Sequence, residues 1–174
     1  MKLPKEKEDK FYKFVKDITK NSRFSQCKQY TQHGDTSVWE HCIKVAHTAY
    51  ALSHKFNIKV SEAELIRGAL LHDYFLYDWH EKNWPNKIHG YTHPRKACKE
   101  ALKDFDLTKR EQDMILHHMF PLTPMPPKYR EGVLLCLADK MCATRETVDR
   151  RKKAEKRKAR LEKIQAARQK LQRA

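Results

Sequence analysis

Glycine is scarce in this sequence: Gly34, Gly68, Gly90 and Gly132 are the four glycines in 174 residues. They are too few and too scattered for a G-x-G-x-x-G or Walker loop, so nucleotide binding by a glycine-rich loop is excluded. Long apolar runs are also lacking. With a mean hydropathy of −0.88, nothing approaches the roughly 18 to 20 apolar residues of a membrane span, and a soluble protein is expected. The basic N-terminus MKLPKEKEDKFYKF is followed by no apolar segment, so no secretory signal is readable and a cytoplasmic location is expected. The five cysteines, Cys27, Cys42, Cys98, Cys136 and Cys142, are odd in number and show no C-x-x-C spacing. That argues against a disulfide framework and a zinc ribbon, and leaves them as buried thiols. No window alternates convincingly as a strand.

What the sequence does have is positive charge and histidine. The chain carries a formal charge of +15 and ten histidines; the first points to an anionic partner and the second to a metal. The charge is uneven. From Asp149 to Ala174 there are twelve Lys or Arg against three acids, which places +9 of the total in the last 26 residues. That segment has no Gly or Pro and is rich in helix formers, yet its large apolar residues are only Leu161, Ile164 and Leu171. It can be helical but cannot build a core. The chain therefore divides into a body, residues 1–148, and a basic helical tail, residues 149–174. The body is long enough to bury a core of its own.

The body reads as all-α, a bundle of about six helices. Three S/T-x-x-E capping boxes precede apolar runs: Ser37 to Glu40, Ser61 to Glu64 and Thr108 to Glu111. Pro94 after His93 suits a first helical position, and Pro127 can play the same part. Helices are expected over 4–20, 38–55, 61–73, 94–104, 108–119 and 127–148.

Helical geometry sorts the histidines. The stripe Val38, Cys42, Val45, Ala46, Ala49, Leu52 has His41 on its edge, while His47 and His54 point 120 to 140° away from His41, at about 100° per residue. In the next helix the buried rows Leu65–Ala69 and Ile66–Leu70 run on into His72 and Asp73. His118 lies in the apolar direction of its helix, centred on Met114 and Ile115, and His117 lies off it. Residues 133 to 138, Val-Leu-Leu-Cys-Leu-Ala, are apolar around the whole circumference, so a central buried helix is expected, with Asp139 directly after it. A carboxylate there must be paired or bound to a metal. Any one of these residues has an ordinary structural explanation. Imidazoles and carboxylates on several helices, each at the polar end of an apolar stripe, jointly suit a divalent first-row metal.

The ordered series His41, His72-Asp73, His93, His118, Asp139, with the local texts SVWEHCIKVAHTA, RGALLHDYFLYDWHE, HGYTHPRKA, MILHHMFPL and LLCLADKM, resembles the HD superfamily of metal-dependent phosphohydrolases over about residues 30–145. The resemblance implies that His41, His72, Asp73 and Asp139 bind one metal. It further implies that His93 and His118 complete a second site bridged by Asp73, with Asp73 and His72 also in catalytic roles. Two divalent ions of Fe, Mn, Co, Ni, Zn or Mg are thus the implied cofactors. His89 competes with His93, and His117 with His118; His93 is preferred because Pro94 would make it a helix N-cap with its ring free. The sequence departs from many members in having Tyr74-Phe75-Leu76-Tyr77 where Gly-Lys often follows the pair, so no lysine role is carried over there.

The expected chemistry is hydrolysis of a phosphomonoester or phosphodiester by a metal-activated water, without a covalent enzyme intermediate. The expected partner is a small phosphorylated substrate, with a nucleotide among the candidates. Arg67, Lys140, Arg145 and His33 are candidate substrate-binding residues. The aromatic segment containing Tyr74, Phe75, Tyr77, Trp79, Trp84 and Tyr91, with His80, Lys87 and His89, suits either a base-stacking pocket wall or a loop packed over the bundle. Two other classes compete. One is a nucleic-acid- or ribosome-associated binding protein acting through the tail, although the tail has no aromatic residue for stacking. The other is a di-iron oxygenase of the HD type, which uses a similar ligand set.

Overall fold

The computed structural model describes residues 2–20, 22–33, 36–78 and 88–172. Helix α1 (Lys5–Lys20) opens on Pro4, whose carbonyl accepts the amides of Lys7 and Glu8 at 3.0 Å each. It buries Phe11, Val15 and Ile18, the i, i+4, i+7 row of an amphipathic helix. A short 3₁₀ segment (Arg23–Gln29) follows, capped by the Ser22 side chain, which accepts from the Phe24 amide. Strands β1 (Thr31–His33) and β2 (Thr36–Ser37) form an antiparallel hairpin. At three and two residues they are too short to leave an alternation in the sequence.

Ser37 ends the hairpin and starts helix α2 (Val38–Lys55). Both halves of the expected capping box form there, with Ser37 and Glu40 bonded reciprocally at 3.2 Å. Helix α2 packs against α3 (Glu62–Leu71) and against the long last helix. Leu65, Ile66, Leu70 and Leu71 of α3 are fully buried, each stabilising the fold by about 1.5–3 kcal/mol. Helix α4 (His89–Asp104) and α5 (Lys109–His117) complete the bundle, the latter with a formed Thr108–Glu111 capping box. Gly68 lets α3 approach α5: a Cβ there would meet Met114 Sδ at 2.8 Å. This approach brings the end of α3 against the end of α5.

Helix α6 (Arg130–Gln172) is one continuous helix of 43 residues that contains both the last body helix and the tail. It starts three residues after Pro127. Its apolar run is not central: Leu134, Leu135, Cys136 and Ala138 are buried, but Val133 and Leu137 are 57% and 48% exposed, because α6 packs on the bundle by one face only. The architecture is all-α with one small hairpin. Among the described residues no helix is long and apolar enough to cross a membrane.

Candidate metal centre

His72 and His118 occupy equivalent positions, each the C-cap of its helix, α3 and α5 respectively. Each donates its Nδ1–H back to a carbonyl three residues earlier, His72 to Ala69 and His118 to Ile115, both at 2.8 Å. Each therefore aims its Nε2 beyond the helix end, where the macrodipole is negative and favours a cation. His93 reaches the same state from inside α4, its Nδ1 held by the His89 carbonyl at 2.9 Å. Helix α4 begins at His89, five residues before Pro94, so the ring is not free as an N-cap would be. His41, fully buried on α2, meets Glu146 Oε2 through Nδ1 at 3.0 Å and Asp139 Oδ1 through Nε2 at 3.1 Å.

Asp73 lies between these rings. Its Oδ2 is 3.5 Å from His72 Nε2 and 3.9 Å from His41 Nε2, and its Oδ1 is 3.2 Å from His93 Nε2 and 3.5 Å from His118 Nε2. Asp139, on α6, completes the first group, with Oδ1 3.8 Å from His72 Nε2. All six predicted ligand residues are thus brought together. Two clusters, His41/His72/Asp73 and Asp73/His93/His118, have the proximity to hold a metal ion and share Asp73.

Three buried groups show how well the donors suit a cation. Among the described residues, His72 Nε2 and Asp73 Oδ1 have no hydrogen-bond partner, a state that costs about 1–3 kcal/mol for each buried polar group. His93 and His118 face each other Nε2 to Nε2 at 2.8 Å although both Nδ1 atoms already donate to carbonyls, so two lone pairs point at one another. A cation in each cluster would relieve all three.

Burial opposes ionisation throughout, and the charges decide the outcome. The Asp73 carboxyl is held well below its usual range by His72 and His93 against the burial, and Asp139 is lowered in the same way by its bond to His41 and the nearby charge of His72. Both acids are kept ionised. Burial would lower His41, but Asp139 and Glu146 carry it up to about 10; burial and the neighbouring His93 push His118 down to about 3.

The alternative histidines lie outside the two clusters. His89 stacks on His93 with ring centroids 4.6 Å apart and bonds the Tyr77 hydroxyl through Nδ1 at 3.0 Å. His117 bonds Asp113 at 2.9 Å, and Asp113 in turn accepts the Lys128 amide. Arg67 is a correction. Its guanidinium makes two 2.7 Å bonds to the buried Glu111 carboxylate and a third to the Asp106 carbonyl, so it ties α3 to α5 instead of facing the centre. Lys140 donates to the carbonyls of His118 at 3.3 Å and Cys136 at 3.5 Å. Arg145 is exposed on α6, next to Glu146. His33 lies in β1, and its side chain is outside the described residues, as are Trp79, His80, Trp84 and Lys87. Tyr74 and Phe75 are fully buried core residues, not an open pocket wall, and Tyr91 is exposed.

Two further side chains touch the centre. Glu146 holds His41; its signal in the sequence is its place seven residues after Asp139, on the same face of α6. Gln32 donates its amide to Asp73 Oδ2 at 2.6 Å from the hairpin, and only its position before the first capped helix pointed there. The family model described as HD domain matches residues 38–144, while no curated protein and no solved structure matches the chain.

Proposed function

Because the chain belongs to the HD-domain family, we propose that it is a phosphohydrolase that uses two divalent ions, held by His41, His72, Asp73 and Asp139 on one side and by Asp73, His93 and His118 on the other. The observation that carries this reading is the division of the Asp73 carboxylate, one oxygen to each histidine group. Bound divalent ions supply a water acidified towards neutrality and a Lewis acid for the phosphoryl oxygens.

The chain's own residues prepare that chemistry. Gln32 fixes the plane of Asp73, and backbone carbonyls fix three imidazoles with Nε2 inward. Burial of His41, His72, Asp73 and His118 excludes bulk water and strengthens every charge interaction at the centre. Lys140 is the cation we assign to substrate binding nearest the centre, because its ammonium sits at the His118 carbonyl.

The test is metal analysis of protein purified without chelator, together with hydrolysis of a generic aryl phosphate with and without oxygen. The expected result is two equivalents of divalent metal and hydrolysis indifferent to oxygen. Asp73→Ala should lose metal and lower the rate by about 10³-fold or more, the scale of several kcal/mol. Hydrolysis retained by that variant would overturn the reading, and turnover strictly dependent on oxygen would favour the oxygenase class.

A further inference from the structure

Asp139, Glu146 and Lys153 stand seven residues apart on α6, so each repeat returns to within about 20° of the same direction. The stripe that begins at the metal centre continues beyond it and changes sign. Past Glu146 it carries Arg150, Lys153 and Lys156, which face Lys44 of α2 and Thr36 of β2 across a cleft of about 320 Å³. Lys152 adds a fifth cation, and among the described residues the acids in the lining are Glu146 and Asp149. Bringing five cations to one concave surface costs Coulomb repulsion that a multiply charged anion would reverse.

We propose that this cleft is a binding site for a compact anion carrying two or more phosphoryl groups. Its volume is at the lower end of the roughly 300–1,000 Å³ range of small-molecule sites. Among the described residues no aromatic side chain lines it, so phosphoryl oxygens are recognised and a base is not. Lysine ammoniums suit phosphate as point charges from several directions.

The site is distinct from the metal centre. Asp139 and Lys153 are fourteen residues apart, about 21 Å along the helix axis at 1.5 Å per residue, farther than a compact diphosphate reaches. Glu146 forms the wall between the two: Oε2 is 3.0 Å from His41 Nδ1, and Oε1 is 3.5 Å from Lys44 Nζ. A bound anion and Glu146 therefore draw on the same lysine.

Calorimetric titration of the full chain with inorganic tripolyphosphate at fixed salt tests the site. One equivalent should bind. Arg150→Glu and Lys153→Glu, both at exposed positions that the fold does not need, should each weaken binding tenfold or more. Lys163→Glu, farther out on the exposed tail, and Asp73→Asn, at the metal centre, should change it less than twofold. Equal weakening by Lys163→Glu would reduce the effect to general tail electrostatics and overturn the proposal. Loss in Asp73→Asn with Arg150→Glu unaffected would move the anion to the metal centre and also overturn it, as would no binding at all.

Discussion

The Nδ1 atoms of His72, His93 and His118 are held by neutral carbonyls, whereas that of His41 meets the Glu146 carboxylate. A carboxylate behind a ligating imidazole fixes its tautomer and raises its basicity, and removing such a partner typically costs 10- to 100-fold in metal affinity. Glu146→Ala is therefore expected to weaken metal binding by about that factor, with Glu146→Gln, which keeps an acceptor, falling between it and the parent. Competition against a chromophoric chelator measures this. Helicity should be unchanged in both variants, because alanine and glutamine are both good helix formers. An affinity equal to the parent's in the Ala variant would mean that Glu146 does not position His41.

At the scale of elements, Glu62 opens α3 and ties three helices to one another. It receives Lys7 and Lys10 from α1 at 3.1 and 2.5 Å, the Tyr50 hydroxyl from α2 at 3.1 Å, and lies 3.2 Å from His54. Burial would raise its pKa, but the bonds from Lys10, Lys7 and Tyr50 win and lower it to about 2. A depressed folded value stabilises the native state above the unfolded value near 4.5, and that contribution is lost as pH falls towards 2. Glu62→Gln should thus be less stable at pH 7, on the order of 1–2 kcal/mol given the solvent that reaches these pairs. Denaturant melts of the two proteins should converge as the pH approaches 2; a constant gap would show that charge is not the cause. The local signals held where their partners were local. Ser37–Glu40 and Thr108–Glu111 formed their capping boxes, and His41, His72, Asp73, His118 and Asp139 each closed an apolar stripe and came together. The signals failed where a distant element competed. Ser61 marks the start of α3, but its side chain caps no amide, while Glu64 turns to Thr108 and Arg110 of α5. Arg67 likewise goes to Glu111. Helix α4 begins before Pro94 because a proline in the second turn forfeits a single bond, to the Gly90 carbonyl, while Thr92 and His93 side chains hold the carbonyls of Ile88 and His89. Gln32 had no periodic context, and its hairpin is too short to announce itself.

Over the whole molecule, α6 does two unlike jobs with one unbroken backbone. Its first part is fixed by packing, with Leu134, Leu135, Ala138 and Cys142 in the core, whereas every residue from 151 to 165 is exposed. At 1.5 Å per residue its 43 residues run about 65 Å, longer than the bundle needs. Where the described side chains of the tail are exposed, residues 151–165, the helix buries no apolar face against the body and rests largely on propensity, which leaves segments of 12–15 residues marginal in water. Charge works against it as well: Lys152, Lys156 and Arg160 repeat at i+4, as do Lys153 and Arg157, and like charges at that spacing destabilise by a few tenths of a kcal/mol per pair. The tail should therefore melt separately from the core. Thermal circular dichroism of the full chain should show a sloping, non-cooperative loss of helix before the main transition, and added salt should flatten that slope by screening the repulsion. A chain ending at residue 157 should lose the slope and keep the main midpoint within about 2 °C, since surface changes away from packing contribute within about ±0.5 kcal/mol. A fall of the main midpoint by 5 °C or more would instead mean that the outer tail docks on the body and stabilises it.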